Sequence, residues 1–337
     1  MTQVALKSTP HIPSALDELS AAMKPDMLAV NTLILENMQS SVPLIPQLAG
    51  YLIASGGKRI RPLMTLASTR LFDTTTTRPY RLAAAVEFIH TATLLHDDVV
   101  DESDQRRGKP SANTVFGNQS SVLVGDFLFS RAFELMVADG SIEVLRILSN
   151  AAAVITEGEV LQLSIQSKLD TTLDQYLEVI AAKTAVLFSA ACEIGPVIAG
   201  QPANIQKAMH DYGHNLGMAF QIADDLLDYQ ADETQLGKTV GDDFREGKMT
   251  SPIIFAIQTA TNDEKTFLKR TFEDHNITDS DLQTVQNLLK THQADQKTHD
   301  LAVSFVNKAI EALSVIPDSP LKSTLEALAT FALSRQS

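Results

Sequence analysis

A single cysteine, Cys192, occurs among 337 residues. No internal disulfide can form, and the chain suits a reducing cytoplasm. Basic residues are scarce: 27 Lys and Arg against 41 Asp and Glu leave a net charge of −14. That balance argues against nucleic acid as a partner, because phosphate backbones need basic surface to displace their counterions. The opening MTQVALKSTPHIPS lacks the apolar core of a secretory signal. The most membrane-like run, 184–200, is shorter than a span and is interrupted by Glu193, Gly195 and Pro196, so no transmembrane segment is expected. Alternating strand patterns joined by hairpin turns are missing, and no sheet is expected. No linker or low-complexity run divides the chain.

Helical periodicity fills what remains, and 44% hydrophobic residues give ample material for a core. Ser14 followed by Asp17 has the pattern of a capping box. Apolar residues recur at three- and four-residue spacings in Ile142–Gln166, Asp174–Ile194 and Pro202–Tyr229. Breaks are short, around ASGGKRIRP, DTTTTRP, RRGKPS and LGKTVGDDFREGKMTSP. The expectation is one all-α domain over residues 1–337, with 1–13 flexible.

Two acidic triplets stand inside apolar helical sequence: Asp97, Asp98 and Asp101 in TATLLHDDVVDES, and Asp224, Asp225 and Asp228 in FQIADDLLDYQ. Residues four apart on a helix are offset by about 40° and roughly 6 Å, so Asp97 shares a face with Asp101, and Asp224 with Asp228. Two such charges 4 Å apart repel by up to ~4 kcal/mol at an effective dielectric near 20. Cations are the usual remedy. Oxygen donors without a cysteine cluster favour Mg²⁺ or Mn²⁺ over zinc, and Mg²⁺ keeps positions open for water and phosphates. An ordinary acidic triplet is a solvated helix face. Leu94, Leu95, Val99 and Val100 around the first, and Ile222, Leu226 and Leu227 around the second, argue against that here.

The basic residues cluster near these motifs. GGKRIRP gathers Lys58, Arg59 and Arg61 beside two glycines, Arg106 and Arg107 follow the first triplet, and Lys238 and Lys248 follow the second. Each cluster alone reads as surface decoration. Together with two metal-type triplets they describe a cavity for more than one polyphosphate. His90 lies seven residues before Asp97, about 20° away and roughly 10 Å below it on the helix. Structural and ligand-binding roles both remain open for it, and His96 reads as packing.

These blocks are similar to those of the trans-type polyprenyl diphosphate synthases. GGKRIRP, HTATLLHDDVVDESDQRRGKPS, GDFLFSRAF, EGEVLQL, KTAVLFSAA, FQIADDLLDY and GKTVGDDFREGKMTSP occur in that family's order, between about residues 50 and 255. The chain most resembles the bacterial long-chain branch, of the octaprenyl diphosphate synthase type. The resemblance implies helices around a deep central cavity, a homodimer, and Mg²⁺, three ions per site with Mn²⁺ as an alternative. It implies that Asp97, Asp101 and Asp224 ligate metal, supported by Asp98, Asp225 and Asp228, and that Lys183 belongs to the catalytic set. Lys58, Arg61, His90 and Arg107 match positions that hold isopentenyl diphosphate; Arg106, Lys183, Thr184, Gln221, Lys238 and Lys248 match those that grip the allylic diphosphate.

The implied reaction is ionisation of the allylic diphosphate, condensation and elimination, the apolar cavity keeping water from the cation. Ala85, Ile89, Ala92 and His96 form an i, i+4, i+7, i+11 stripe descending from the first triplet. Bulky residues just before that motif stop the chain early in the resembled family; Ala92 and Thr93 stand there in this chain, so with Ile89 they are the chain-length candidates. Alanine that merely permits close helix packing is the competing explanation. Leu135, Met136 and Leu148 are candidates for the floor. The expected product, grown from farnesyl diphosphate, is long, about eight isoprene units by likeness, used for quinone side chains, with nonaprenyl, heptaprenyl, decaprenyl or a shorter chain as alternatives. A class I terpene cyclase would need no second diphosphate site, and a noncatalytic synthase subunit would lose triplet aspartates. Product release by transient membrane contact is a further expectation.

Overall fold

Spacing of apolar residues by three and four builds helices almost everywhere. The computed structural model describes residues 14–54, 56–72, 74–106, 108–230 and 240–334. In order these form α1 (Ala15–Ala22), α2 (Lys24–Asn37), α3 (Leu44–Ala54), α4 (Ile60–Arg70), α5 (Arg78–Val100), α6 (Ala112–Phe116), α7 (Asn118–Asp139), α8 (Ile142–Ile165) and α9 (Leu173–Ile180). They continue as α10 (Val186–Ile198), α11 (Ala203–Gln230), α12 (Asp242–Arg245), α13 (Ser251–Thr259), α14 (Asn262–Leu268), α15 (Asp281–Thr291), α16 (Ala294–Ala312) and α17 (Pro320–Phe331). Residues 1–13, expected to be flexible, lie outside the described residues.

Local chemistry sets the helix ends. The Ser14 hydroxyl accepts the Asp17 N–H at 3.2 Å while the Asp17 carboxylate accepts the Ser14 N–H at 2.9 Å, the expected capping box. Thr172 with Gln175 opens α9 in the same way. Gly140, at φ 79°, supplies the left-handed residue that ends α7 and lets α8 turn back.

The long α5 is the central helix. Leu82 to Val86, Phe88, Ile89, Ala92 and Leu95 are buried around most of its circumference, as a helix enclosed by others requires. It packs against α2, α4, α7 and α10; α10 packs on α4, α8 and α11; and α11 is backed by α16. A single cluster of buried side chains runs from Leu16 on α1 to Ala332 just past α17, and those two helices pack on each other. α5 and α7 are antiparallel. Arg78 at the start of α5 bonds Asp139 at the end of α7 at 2.9 and 2.6 Å, and His96 near the other end reaches the Val122 carbonyl at 3.2 Å. His96 also fills the space beside Gly125, where a Cβ would fall 2.2 Å from its Nε2, so packing is its role as expected.

Two local features depart from expectation. Instead of a plain helix over Asp174–Ile194, α9 passes through a π-turn, Ala181–Ala185, into α10, which continues past Pro196 to Ile198. Glu193, Gly195 and Pro196 interrupt the hydropathy but not the helix: Gly195 is where α10 crosses α4, a Cβ there meeting Ser68 Oγ at 2.1 Å. No sheet was expected, yet β1 (Gln105–Arg106) pairs antiparallel with β2 (Lys109–Pro110). Gly108, at φ 69°, provides the positive φ for this tight return. No described helix is long and apolar enough to cross a membrane.

Candidate active site

Both acidic triplets sit at the C-terminal ends of their helices, α5 and α11, and neither helix has a basic residue in its last turn. Carboxylates there meet the negative end of the helix dipole, so local electrostatics oppose the placement. Compensation comes from elsewhere in the chain. Arg106, on the small hairpin, bonds the buried Asp98 through Nε at 2.8 Å and Nη2 at 2.6 Å. Lys183 stands 3.8 Å from Asp97 and bonds Glu159 of α8 at 2.8 Å. Lys248 lies 3.4 Å from Asp101 and also pairs with Glu246. Burial still pushes the Asp97 carboxyl up to about 6; Lys183 opposes the rise, while Glu159 and Asp101 add to it.

The second triplet is anchored by hydrogen bonds. Asp225 is buried and accepts from Tyr176 Oη at 2.6 Å and Gln221 Nε2 at 2.7 Å. The Gln221 carbonyl accepts the Thr184 hydroxyl at 2.9 Å, which links the π-turn to α11. Asp228 accepts the backbone N–H groups of Asp242 at 3.3 Å and Asp243 at 3.1 Å, fixing the start of α12 against α11. Burial pushes Asp225 up to about 7 against its two donors. Burial, with Asp225 and Asp228 nearby, also raises Asp243 well above the usual carboxylate range. Lys248 answers this group: burial works against its charge, but Asp243, Asp101 and Glu246 outweigh that and raise its pKa. One lysine thus interacts with Asp101 of the first motif and with Asp243 and Glu246, which follow the second.

Asp98, Asp225 and Asp228 therefore hold structural bonds, while Asp97, Asp101 and the half-buried Asp224 are the expected metal set. Among the described residues no three acidic, histidine or cysteine side chains already converge on a point where an ion could sit. Carboxylates that do not close on one another, with oxygen as the sole donor type, fit a hard divalent ion that completes its shell with water and diphosphate oxygens.

Arg61 and His90 come together at the base of α4 and the middle of α5, Arg61 Nη1 lying 3.2 Å from His90 Nε2. The Arg61 guanidinium sits 4.5 Å over the Phe188 ring, its Nε is buried without a partner, and burial lowers its pKa to about 10 against the pull of Glu87. Arg59 pairs with Glu87 at 3.3 Å. Lys58 is exposed just ahead of α4. Arg107 and Lys238 lie outside the described residues.

Ala85, Ile89 and Ala92 are fully buried, and half-buried Thr93 donates its hydroxyl to the His90 carbonyl at 2.8 Å. Leu135 and Met136 are buried near the end of α7, beside the first turns of α5, and Leu148 is buried on α8. The α5–α7 register puts Met136 roughly 20 Å along α5 from Asp97.

Among the residues of this network not singled out from the sequence are Glu159, Asp243 and Tyr176. The first two stand in EGEVLQL and GDDFREGK, acidic blocks that carried the signal. Tyr176 carried none, being one tyrosine on an amphipathic helix.

A family model for polyprenyl synthetase matches residues 42–289. The octaprenyl diphosphate synthase of Escherichia coli (strain K12) is 45% identical over 320 residues, 95% of this chain and 99% of that one. A decaprenyl diphosphate synthase structure from Rhodobacter capsulatus superposes with a TM-score of 0.92 at 50% identity, covering 96% of this chain and 99% of that one. A polyprenyl synthase from Caulobacter crescentus CB15, complexed with calcium and isoprenyl diphosphate, gives 0.93 at 49% identity over 97% and 100% of the two chains. With acidic motifs closing two of its helices and likeness along nearly its whole length, the chain belongs to the polyprenyl synthetase family.

Proposed function

We propose that this chain is a single-domain trans-prenyltransferase that adds successive isopentenyl diphosphates to an allylic diphosphate, with Mg²⁺, and releases octaprenyl diphosphate. The observation that carries the reading is the pair of acidic motifs at the C-terminal ends of α5 and α11, with Lys183 beside Asp97 of the first and Lys248 set between Asp101 of the first and Asp243, which follows the second. Bound Mg²⁺ would be held by Asp97, Asp101 and Asp224 and would neutralise charge on the departing diphosphate.

The chain's own groups do the remaining work. Lys183 and Lys248, with Arg106 once shared between Asp98 and substrate, place cationic donors where diphosphate charge develops as the allylic C–O bond breaks. Thr184 and Gln221 orient the same group. Arg61 and His90, with Lys58, hold isopentenyl diphosphate so that its double bond meets the cation and the new C–C bond forms. The departing diphosphate accepts the proton lost in the elimination. Buried Ala92, Ile89 and Ala85 offer the growing tail a dry path toward Leu135 and Met136.

The reading includes a homodimer joined through α7 and α8, which expose Leu123, Phe133, Val137, Ile142, Val160 and Leu163. It places the chain in the cytoplasm, with membrane contact at product release. The test is direct: incubate the purified protein with Mg²⁺, isopentenyl diphosphate and farnesyl diphosphate, then size the hydrolysed alcohols. An eight-unit alcohol is expected. No product, or one of four units or fewer, overturns the reading.

A further inference from the structure

The middle aspartates of the two motifs are held by different chemistry. A cation, Arg106, answers Asp98. Asp225 is met by two neutral donors, Tyr176 Oη at 2.6 Å and Gln221 Nε2 at 2.7 Å, one on each carboxylate oxygen. Tyr176 is 3% exposed and belongs to α9, whose continuation is the π-turn bearing Lys183 and Thr184. From that one stretch two routes converge on a single carboxylate: directly through Tyr176, and through Thr184 and Gln221. A carboxylate clamped at both oxygens cannot rotate, and its helix turn is fixed with it. Ser251, at the start of α13, comes within 3.5 Å of the same phenol, so a third helix abuts the joint.

We propose that Tyr176 is a positioning residue of the second metal motif: acting through Asp225, its hydroxyl holds the end of α11 so that Asp224 presents its carboxylate to the diphosphate and its ions. The proposal deepens, and rests on, the reading of this site as a Mg²⁺–diphosphate site. Loss of the hydroxyl leaves one Asp225 oxygen buried without its donor. The freed carboxylate then turns toward other partners and carries the helix end with it.

The test uses the full chain and its Tyr176→Phe variant, with Mn²⁺ titrated by electron paramagnetic resonance in the presence of inorganic pyrophosphate. The variant should bind Mn²⁺ about tenfold more weakly, the loss of one hydrogen bond to a charged group. Its half-saturating Mg²⁺ should rise to a similar degree, the KM for isopentenyl diphosphate should stay within about twofold, and circular dichroism should match the parent. Asp225→Asn should weaken Mn²⁺ binding too, and the double variant should be no weaker than Asp225→Asn alone, because one residue acts through the other. A folded Tyr176→Phe variant with unchanged Mn²⁺ affinity overturns the proposal, as does independent addition of the two effects. Should the phenylalanine variant not fold, Tyr176→Met, which refills part of the volume and also lacks a donor, takes the same test. Absence of prenyl transfer by the parent sinks the functional reading instead, and the Mn²⁺ titration then still decides the role of Tyr176.

Discussion

Asp97 is the residue for which function and stability pull hardest against each other. Its carboxyl is mostly buried, lies in the last turn of α5, and is pushed up to about 6 by burial with Glu159 and Asp101 close by. A rise of about two units over a free aspartate corresponds to roughly 3 kcal/mol against the charged form. The penalty is absent at acid pH and grows as pH climbs through the unfolded value near ~4, levelling off above the folded one. Asp97→Asn keeps the shape and removes the charge. At neutral pH in metal-free buffer the variant should melt about 2–5 °C higher. Its turnover under saturating Mg²⁺ should fall at least about 100-fold, the loss typical of one group that stabilises developing charge. Calorimetry and a prenyl-transfer assay read the two effects separately. A variant that is both less stable and still active would make Asp97 a structural residue. Placement of this kind is legible in sequence, because aspartates among leucines and valines need a reason. Tyr176 is not legible: a buried tyrosine and a surface one look alike until the fold puts Asp225 opposite its hydroxyl.

Whole helices were easier to foresee than their joints. The three- and four-residue spacing gave α8 and α11 to within about a residue or two, and Ser14 with Asp17 gave the start of α1. The π-turn was hidden because contact rather than propensity makes it. Gly158 of α8 lies where a Cβ would come within 2.7 Å of Ala182, so the wider turn forms against a flat neighbour and carries Lys183 toward Glu159. The Arg106 hairpin was hidden for a similar reason, two-residue strands having no alternation to detect. The α5 stripe leaves a choice the sequence could not make, since Ala92 serves either a tail path or a tight helix seam. Ala92→Phe separates the two. A ring intruding on the tail path should shorten the product to three or four isoprene units with a small change in melting temperature. A ring forced into the α5–α7 seam should leave product length alone and lower stability by about 1–3 kcal/mol, the usual penalty of overpacking. Product sizing beside thermal melting distinguishes them, and the first outcome is expected.

At the scale of the molecule, a chain with a net charge of −14 repels its own copies, so self-association needs an apolar face wide enough to overcome that. α7 and α8 offer one. Phe133 and Val137 lie four residues apart on α7, Leu123 extends the same side, and Ile142, Val160 and Leu163 continue it on α8, all exposed. A twofold dimer would set this face against itself and cover the six side chains at once. The consequence reaches the site, because Leu163 follows Glu159 by one helical turn, and Glu159 holds Lys183 beside Asp97. A partner pressed on α8 would steady that ion pair from behind. Phe133→Asp puts a charge at the middle of the face while touching no residue of the site. Sedimentation equilibrium should give twice the chain mass for the parent and the single mass for the variant. Turnover should drop about tenfold as α8 loses its backing, with circular dichroism unchanged. A parent that sediments as a monomer, or a Phe133→Asp variant that stays dimeric, would remove this face as the contact and with it the support for Lys183 from a second copy.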